Sequence, residues 1–193
     1  MKPTLNSRWL DGLPRWVSPN HNVRPSGSII DTVVIHNISL PPESFEPRWV
    51  RRLFMNQLPH YQLHHPYFFE IAYLRVSAHF YISRRGRVVQ CVGLHRRAWH
   101  AGQSHLVTPQ GIRHNLNDTS IGIELAGSDS IPFTEAQYAA LYRLLLRLNK
   151  LLPLCYITGH SDIAPLRKTD PGPYFDWVHV QKKLPINLIA LTK

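Results

Sequence analysis

Short apolar runs alternate with polar, breaker-rich stretches along this chain. Three continuous runs rich in β-branched or other apolar residues, 31–36, 121–125 and 157–159, predict buried strands. Residues 77–82 and 88–92 are also apolar, and they flank a basic stretch that contains glycine, which predicts a β-hairpin. The pattern therefore places a sheet of short strands at the centre of the fold.

The clearest helical period covers residues 134–152. Its apolar residues lie on one stripe, Thr134 and Gln137 have the spacing of a capping box, and a proline follows the last position. Shorter helices are expected near 47–57 and over 176–183. Strands interleaved with helices predict an α/β (α+β) fold, a single domain whose central mixed β-sheet is flanked by helices.

The remaining segments predict how the chain is organised around that domain. Residues 1–28 are rich in Pro, Asn, Ser and Gly and indicate an N-terminal arm packed on a domain over 29–184. Residues 185–193 are expected to form a C-terminal tail, and 101–118 a loop. The connection 43–75 is long enough to carry function.

Composition narrows the class of protein. A length of 193 residues fits one domain. The formal charge of +10 favours anionic partners, namely nucleic acid, an anionic membrane or a carboxylate-rich small substrate. The basic residues are scattered and no nucleic-acid-binding motif is present, which argues against nucleic acid.

Compartment is predicted from the termini, the apolar runs and the cysteines. No run of about 18 apolar residues is present, so neither a transmembrane helix nor a membrane partner is expected. The first residues lack the apolar region of a secretory signal, which favours the cytoplasm. Cys91 and Cys155 both lie in apolar runs and are expected to be buried rather than to form a disulfide framework.

Candidate chemistry lies at the ends of two predicted strands. Each strand ends in histidine, His36 and His160, and Asp170 precedes a Pro-Gly-Pro sequence that restricts the backbone. Two histidines and one carboxylate, with a fourth position open, are typical of catalytic zinc. The chain has 12 histidines, so spacing alone leaves hydrogen-bonded core histidines as an alternative.

Two charged residues accompany this group. Glu124 lies at the end of an apolar strand, where an ionised group is costly unless it is paired. It is either a partner for an arginine or a general base that accepts a proton from water. Lys168, two residues before Asp170, is either a solvated lysine or a group that stabilises a developing oxyanion.

Six ordered motifs spanning roughly residues 14–180 resemble the AmpD family of N-acetylmuramoyl-L-alanine amidases. This family belongs to the type 2 amidases, which include the peptidoglycan recognition proteins. The motifs cover residues 34–42, 65–68, 74–80, 97–102, 120–125 and 159–173. The resemblance implies one zinc ion per chain held by His36, His160 and Asp170, with Glu124 and Lys168 as the catalytic pair.

The resemblance also implies a substrate groove and a substrate. Asn37, Arg75, Ala98 and Trp99 match positions that line the family's groove, where Trp99 offers the sugar a flat apolar face and Arg75 pairs a peptide carboxylate. Ala126 departs from the family pattern, which often has a second glutamate there. Because the family's arginine before 117–118 is also missing, Arg113 is the candidate clamp for the peptide end.

The implied reaction is zinc-dependent hydrolysis of the amide between the lactyl group of 1,6-anhydro-N-acetylmuramic acid and L-alanine, in cell-wall recycling. The expected partner is a small soluble muropeptide, and the expected state is a monomer. Two alternatives share the fold: a non-catalytic muropeptide sensor and a lytic amidase that acts on intact peptidoglycan.

Overall fold

A computed structural model describes residues 9–184 and 187–192. The strands are His21–Val23 (β1), Thr32–Ile38 (β2), Phe80–Ile82 (β3), Val88–Gln90 (β4), Arg96–Ala98 (β5), His105–Thr108 (β6), Gly111–His114 (β7), Ser120–Ala126 (β8), Tyr156–Gly159 (β9) and Ile189–Ala190 (β10). The α-helices are Pro47–Phe54 (α1), Tyr67–Ile71 (α2), Glu135–Asn149 (α3), His160–Ile163 (α4) and Trp177–Gln181 (α5). Two 3-10 helices cover Leu58–His64 and Leu116–Asp118.

The central sheet has six strands in the order β10-β9-β2-β8-β3-β4. Neighbouring strands from β10 to β3 pair in parallel, and β4 pairs antiparallel with β3. The predicted mixed sheet and its β3–β4 hairpin are therefore confirmed. In the middle of the sheet, β2 pairs with β8 over its full length and β9 lies on its other side.

Helix α3 packs on one face of this sheet through the main apolar core. Its predicted capping box is confirmed: Gln137 N–H donates to the Thr134 hydroxyl over 3.2 Å, and Thr134 N–H donates to Gln137 Oε1 over 3.1 Å. The helix ends at Asn149, three residues before the predicted end. The opposite face of the sheet is covered by α1, α2 and the loops between strands, around two smaller apolar clusters.

The prediction of a loop over 101–118 is wrong. Strands β6 and β7 form an antiparallel hairpin there, with Leu106 opposite Arg113, and a 3-10 turn follows. The hairpin packs one side inward, where Leu106 and Thr108 are buried, and leaves Val107 and Ile112 exposed. Because exposed apolar residues interrupt the polar-out alternation, the strand pattern is weak in the sequence.

Contacts of the terminal segments join them to the rest of the structure. Strand β1 pairs with β5, and the Ser18 hydroxyl donates to the carbonyl oxygen of Phe54 over 2.5 Å. Residues 1–8 of the expected arm and 185, 186 and 193 of the expected tail lie outside the described residues. Within the tail, β10 extends the central sheet beside β9.

Two further expectations concern burial. Cys91 is buried as expected, but the expectation for Cys155 is wrong, because this residue is exposed just before β9. Among the described residues, no helix has both the length and the apolar character needed to cross a bilayer.

Candidate metal centre and groove

Parallel pairing of β2 and β9 brings two histidines to the same edge of the sheet. His36 lies near the carboxyl end of β2, and His160 begins α4 directly after β9. The loop that follows α4 returns Asp170 to the same point. Asp170 Oδ2 lies 2.9 Å from His36 Nδ1 and 3.0 Å from His160 Nδ1, and the two Nδ1 atoms are 3.0 Å apart. The structure thus brings together all three predicted ligands.

The electrostatics of this group suit metal binding. Burial lowers the pKa of His36 to about 4, and the neighbouring His160 lowers it as well. Burial by itself would raise the pKa of Asp170, but hydrogen bonds from His160 and His36 hold it below its usual value. His36 is therefore a neutral imidazole at pH 7 and Asp170 a carboxylate, the protonation states in which these groups bind metals.

Glu124 lies beside the three ligands. It is the register partner of His36 across the β2–β8 pair. Its Oε2 atom is buried and has no hydrogen-bond partner in the described part of the chain. Burial raises the pKa of this carboxyl well above its ordinary value, Asp170 raises it further, and Lys168 opposes the rise. A carboxylate whose pKa is raised is a stronger base than an ordinary glutamate, which suits a group that accepts a proton from water.

These residues line a groove of about 550 Å³. Lys168 and Thr169 line it next to the three ligands. Helices α1 and α2 supply an apolar wall, which includes Leu53, Phe54 and Ile71. The long connection 43–75 therefore forms one side of the groove.

The predicted substrate residues differ in their distance from this groove. Asn37 and Trp99 line it, and Asn37 also donates to Asp129 Oδ1 over 2.7 Å. Ala98 is fully buried in β5 and lies outside the described lining. Arg75 is exposed and also lies outside that lining, although both of its chain neighbours belong to it.

Arg113, the candidate peptide clamp, lies elsewhere. Its guanidinium forms an ion pair with Asp31 and packs over the ring of Tyr156. Asp31 precedes β2, whereas His36 lies near the opposite end of that strand. The structure therefore does not bring Arg113 to the groove.

His100, which has no role predicted from the sequence, contacts the candidate ligand His36. His36 Nε2 lies 3.0 Å from His100 Nδ1. A signal was available in Gly122, since an isolated glycine within a strand often marks a close approach. The ring of His100 packs on that glycine.

Comparisons with known proteins show which family the chain resembles. The family model described as N-acetylmuramoyl-L-alanine amidase matches residues 26–173. The 1,6-anhydro-N-acetylmuramyl-L-alanine amidase AmpD of Escherichia coli K12 is 47% identical over 179 residues, covering 90% of this chain and 92% of that protein. A crystal structure of a selenomethionine derivative of AmpD superposes with a TM-score of 0.84 at 44% identity, covering 94% of this chain and 99% of that one.

A more distant solved structure carries a ligand. It is the complex of the E. coli amidase AmiD with anhydro-N-acetylmuramic acid-L-Ala-D-γ-Glu-L-Lys, at a TM-score of 0.56 and 27% identity. It covers 83% of this chain and 60% of that one. The family match spans more than half of the sequence, and the similarity to AmpD covers nearly all of it. This chain belongs to the N-acetylmuramoyl-L-alanine amidase family.

Proposed function

We propose that this protein hydrolyses the amide between the lactyl group of 1,6-anhydro-N-acetylmuramic acid and the L-alanine of a soluble muropeptide, using one zinc ion. The observation that carries the proposal is the meeting of His36, His160 and Asp170 beside the buried carboxyl of Glu124. The names of the AmpD relatives support the bond and the anhydro sugar. The AmiD complex supports a muropeptide as the ligand.

The donor set fits zinc. Two imidazole nitrogens and one carboxylate oxygen lie within 4.8 Å of one another, and both histidines are buried. Catalytic zinc commonly has two histidines and one carboxylate, with a fourth position for water or substrate. His36, His160 and Asp170 would hold the ion, and the surroundings of His36 and Asp170 favour the neutral imidazole and the ionised carboxylate that bind metals.

Bound zinc would act as a Lewis acid on the scissile carbonyl and would lower the pKa of water. Glu124 then accepts the proton of the attacking water on a carboxylate oxygen and delivers it to the departing nitrogen of L-alanine. The Lys168 ammonium stabilises negative charge on the former carbonyl oxygen. The raised pKa of Glu124 makes its carboxylate a stronger base for the first of these proton transfers.

The groove supplies the means to orient the substrate. Trp99 and Asn37 belong to its lining, which supports the proposal that they contact the sugar and the lactyl–peptide junction. Arg75, Ala98 and Arg113 stay predictions as substrate residues. The monomeric state and the cytoplasmic location also stay predictions.

Incubation of the full-length protein with an anhydromuropeptide, followed by mass spectrometry, tests the proposal. Free peptide and anhydro sugar should appear, a strong chelator should stop their release, and added zinc should restore it. A zinc-loaded protein that binds the muropeptide without cleaving it would instead be a sensor. Faster cleavage of intact peptidoglycan than of the soluble fragment would indicate a lytic enzyme.

A further inference from the structure

The two candidate ligand histidines direct their second ring nitrogens to the same short segment. His36 Nε2 lies 3.0 Å from His100 Nδ1, and His160 Nε2 lies 3.3 Å from the carbonyl oxygen of Ala101. On the other side of each ring, Nδ1 faces Asp170. A neutral imidazole that binds a metal through Nδ1 carries its proton on Nε2. Both rings therefore need an acceptor where this segment lies.

The segment supplies acceptors of the right kind. The Ala101 carbonyl oxygen accepts and has no proton to donate. For His100 to accept from His36, its Nδ1 must be unprotonated, so its own proton lies on Nε2. That atom is 3.2 Å from the hydroxyl oxygen of Ser120, which in turn donates to the carbonyl oxygen of Leu116. The hydrogen bonds thus run in one direction from His36 to a backbone carbonyl.

The surrounding structure fixes this segment in place. Asn117 Oδ1 accepts hydrogen bonds from both backbone N–H groups, that of His100 over 3.0 Å and that of Ala101 over 2.8 Å. The imidazole of His100 lies against Gly122, where an added Cβ would come within 2.7 Å of the ring atoms Nδ1 and Cδ2. His100 itself is 8% exposed. Its ring and its backbone are therefore both held by specific neighbours.

We propose that His100 and Ala101, held by Asn117, are positioning residues of the metal centre. They accept the Nε2 protons of His36 and His160 and so keep both Nδ1 atoms directed toward the ion. The inference rests on the proposed zinc site. Partners of this kind typically change metal affinity by about 10–100-fold when they are removed.

Two substitutions at His100 separate positioning from packing. His100→Asn keeps an acceptor oxygen near the position of Nδ1, toward His36. His100→Gln is closer to histidine in size but extends its amide toward Ser120. Positioning predicts zinc affinity near the wild-type value for the asparagine variant and about 10–100-fold weaker for the glutamine variant. A packing role predicts the reverse order.

A second pair of variants tests the backbone clamp. Asn117→Asp keeps a side-chain oxygen that accepts from both N–H groups, whereas Asn117→Leu removes it. The aspartate variant should bind zinc much more tightly than the leucine variant. If both His100 variants fail to fold, this pair decides the question, with far-UV circular dichroism as the check on folding.

Zinc transfer from each full-length protein to a chromophoric chelator measures the affinities. A wild-type protein that binds no zinc removes the proposed metal site and this inference with it. A wild-type protein that binds one zinc, with His100→Gln and Asn117→Leu binding equally well, overturns the inference alone. Nitrogen-15 NMR of the zinc-loaded protein should find His36 and His160 protonated on Nε2, and protonation on Nδ1 would likewise overturn it.

Discussion

The two faces of the central sheet are made by alternate residues of the same strands, yet they differ in chemistry near the carboxyl ends of β2 and β8. Toward α3, strands β2 and β8 direct aliphatic side chains into the main core, among them Ile35 and Ile123. Toward the groove, the residues that follow them in sequence are His36 and Glu124. Alternation along a strand allows one pair of strands to serve both faces.

The two faces of the sheet also differ in how readily their side chains can be replaced. Apolar side chains of the helix-covered face need the right volume and no particular atom at a particular point. On the groove face, each buried polar atom needs a partner of matching chemistry. Substitutions on the first face should therefore change stability, and substitutions on the second should change chemistry.

Removal of a proposed ligand should have the largest effect on the groove face. His36→Ala leaves two of the three ligands, so we expect the protein to lose stoichiometric zinc and amidase activity to fall to background. Elemental analysis after gel filtration measures the metal content. The matched control is His60→Ala, an exposed histidine of the 3-10 helix, which should keep one zinc. Full zinc occupancy in His36→Ala would remove this residue from the ligand set.

Loss of the proposed base should separate catalysis from metal binding. Glu124→Gln keeps the size of the side chain and removes its ability to accept a proton, so kcat should fall by about 10²–10⁴-fold. Zinc content should stay at one per chain. Glu70→Gln, which changes an exposed glutamate of α2 in the same way, should leave kcat unchanged. Near-normal turnover by Glu124→Gln would exclude Glu124 as the base.

A cavity in the core on the helix-covered face should lower stability and leave metal binding and catalysis unchanged. Leu141 is 1% exposed in the core between α3 and the sheet, so Leu141→Ala should lower the free energy of unfolding by about 2–5 kcal/mol. Zinc affinity and kcat of the folded fraction should stay near wild type. Urea denaturation measures the loss, with the exposed Leu151→Ala as the control. A large drop in zinc affinity would show that the two faces are coupled.

The helix-covered face was largely predictable from the sequence because its signals are local. The stripe and capping box of α3 lie within one segment, and the buried runs of β2 and β8 are continuous. The β6–β7 hairpin escaped prediction because its outward positions include Val107 and Ile112, which break the alternation. Exposed residues such as these do not pack in the core, so they need not follow the hydrophobic period by which a strand is recognised in the sequence.

The groove face was predictable only in part. Strand ends and the Pro-Gly-Pro sequence drew attention to the candidate ligands, but the family resemblance selected them from 12 histidines. His100 received no role because its contact with His36 depends on the space above Gly122, in another strand. Arg113 was expected near the substrate, yet it pairs with Asp31. Contacts between distant segments leave no local pattern in the sequence from which they could be predicted.

The burial of Glu124 should also appear as a dependence of stability on pH. Its pKa in the folded, metal-free protein lies well above the unfolded value, so the unfolded state loses its proton first as pH rises. This carboxyl therefore lowers stability above about pH 4.5, increasingly until its folded pKa is reached. Glu124→Gln should be more stable than wild type at pH 7, and this advantage should shrink toward pH 4.

Thermal unfolding of the two metal-free proteins across this pH range measures the effect. The exposed Glu70→Gln serves again as the control and should follow the wild-type curve. An advantage of Glu124→Gln that is constant with pH would mean that the carboxyl is not protonated on folding. An advantage that shrinks toward pH 4 would assign a stability cost to the carboxyl of the proposed base.

The smallest effect is expected in the loop that carries Lys168. Leu166 has a positive φ of 69° and a fully exposed side chain, a conformation that costs a non-glycine residue about 1–2 kcal/mol. Leu166→Gly removes that strain but adds backbone freedom to the unfolded chain, so a net gain of about 1 kcal/mol or less is expected. Leu166→Ala keeps the strain and loses only exposed surface, so its stability should stay near wild type. Urea denaturation of both variants distinguishes the effect of the backbone from that of the side chain.

Because the next residue, Arg167, anchors the loop to the carbonyl oxygens of Ala101 and Gln103, a more flexible backbone at 166 should also lower kcat slightly. Equal effects of glycine and alanine would instead assign the role to the leucine side chain.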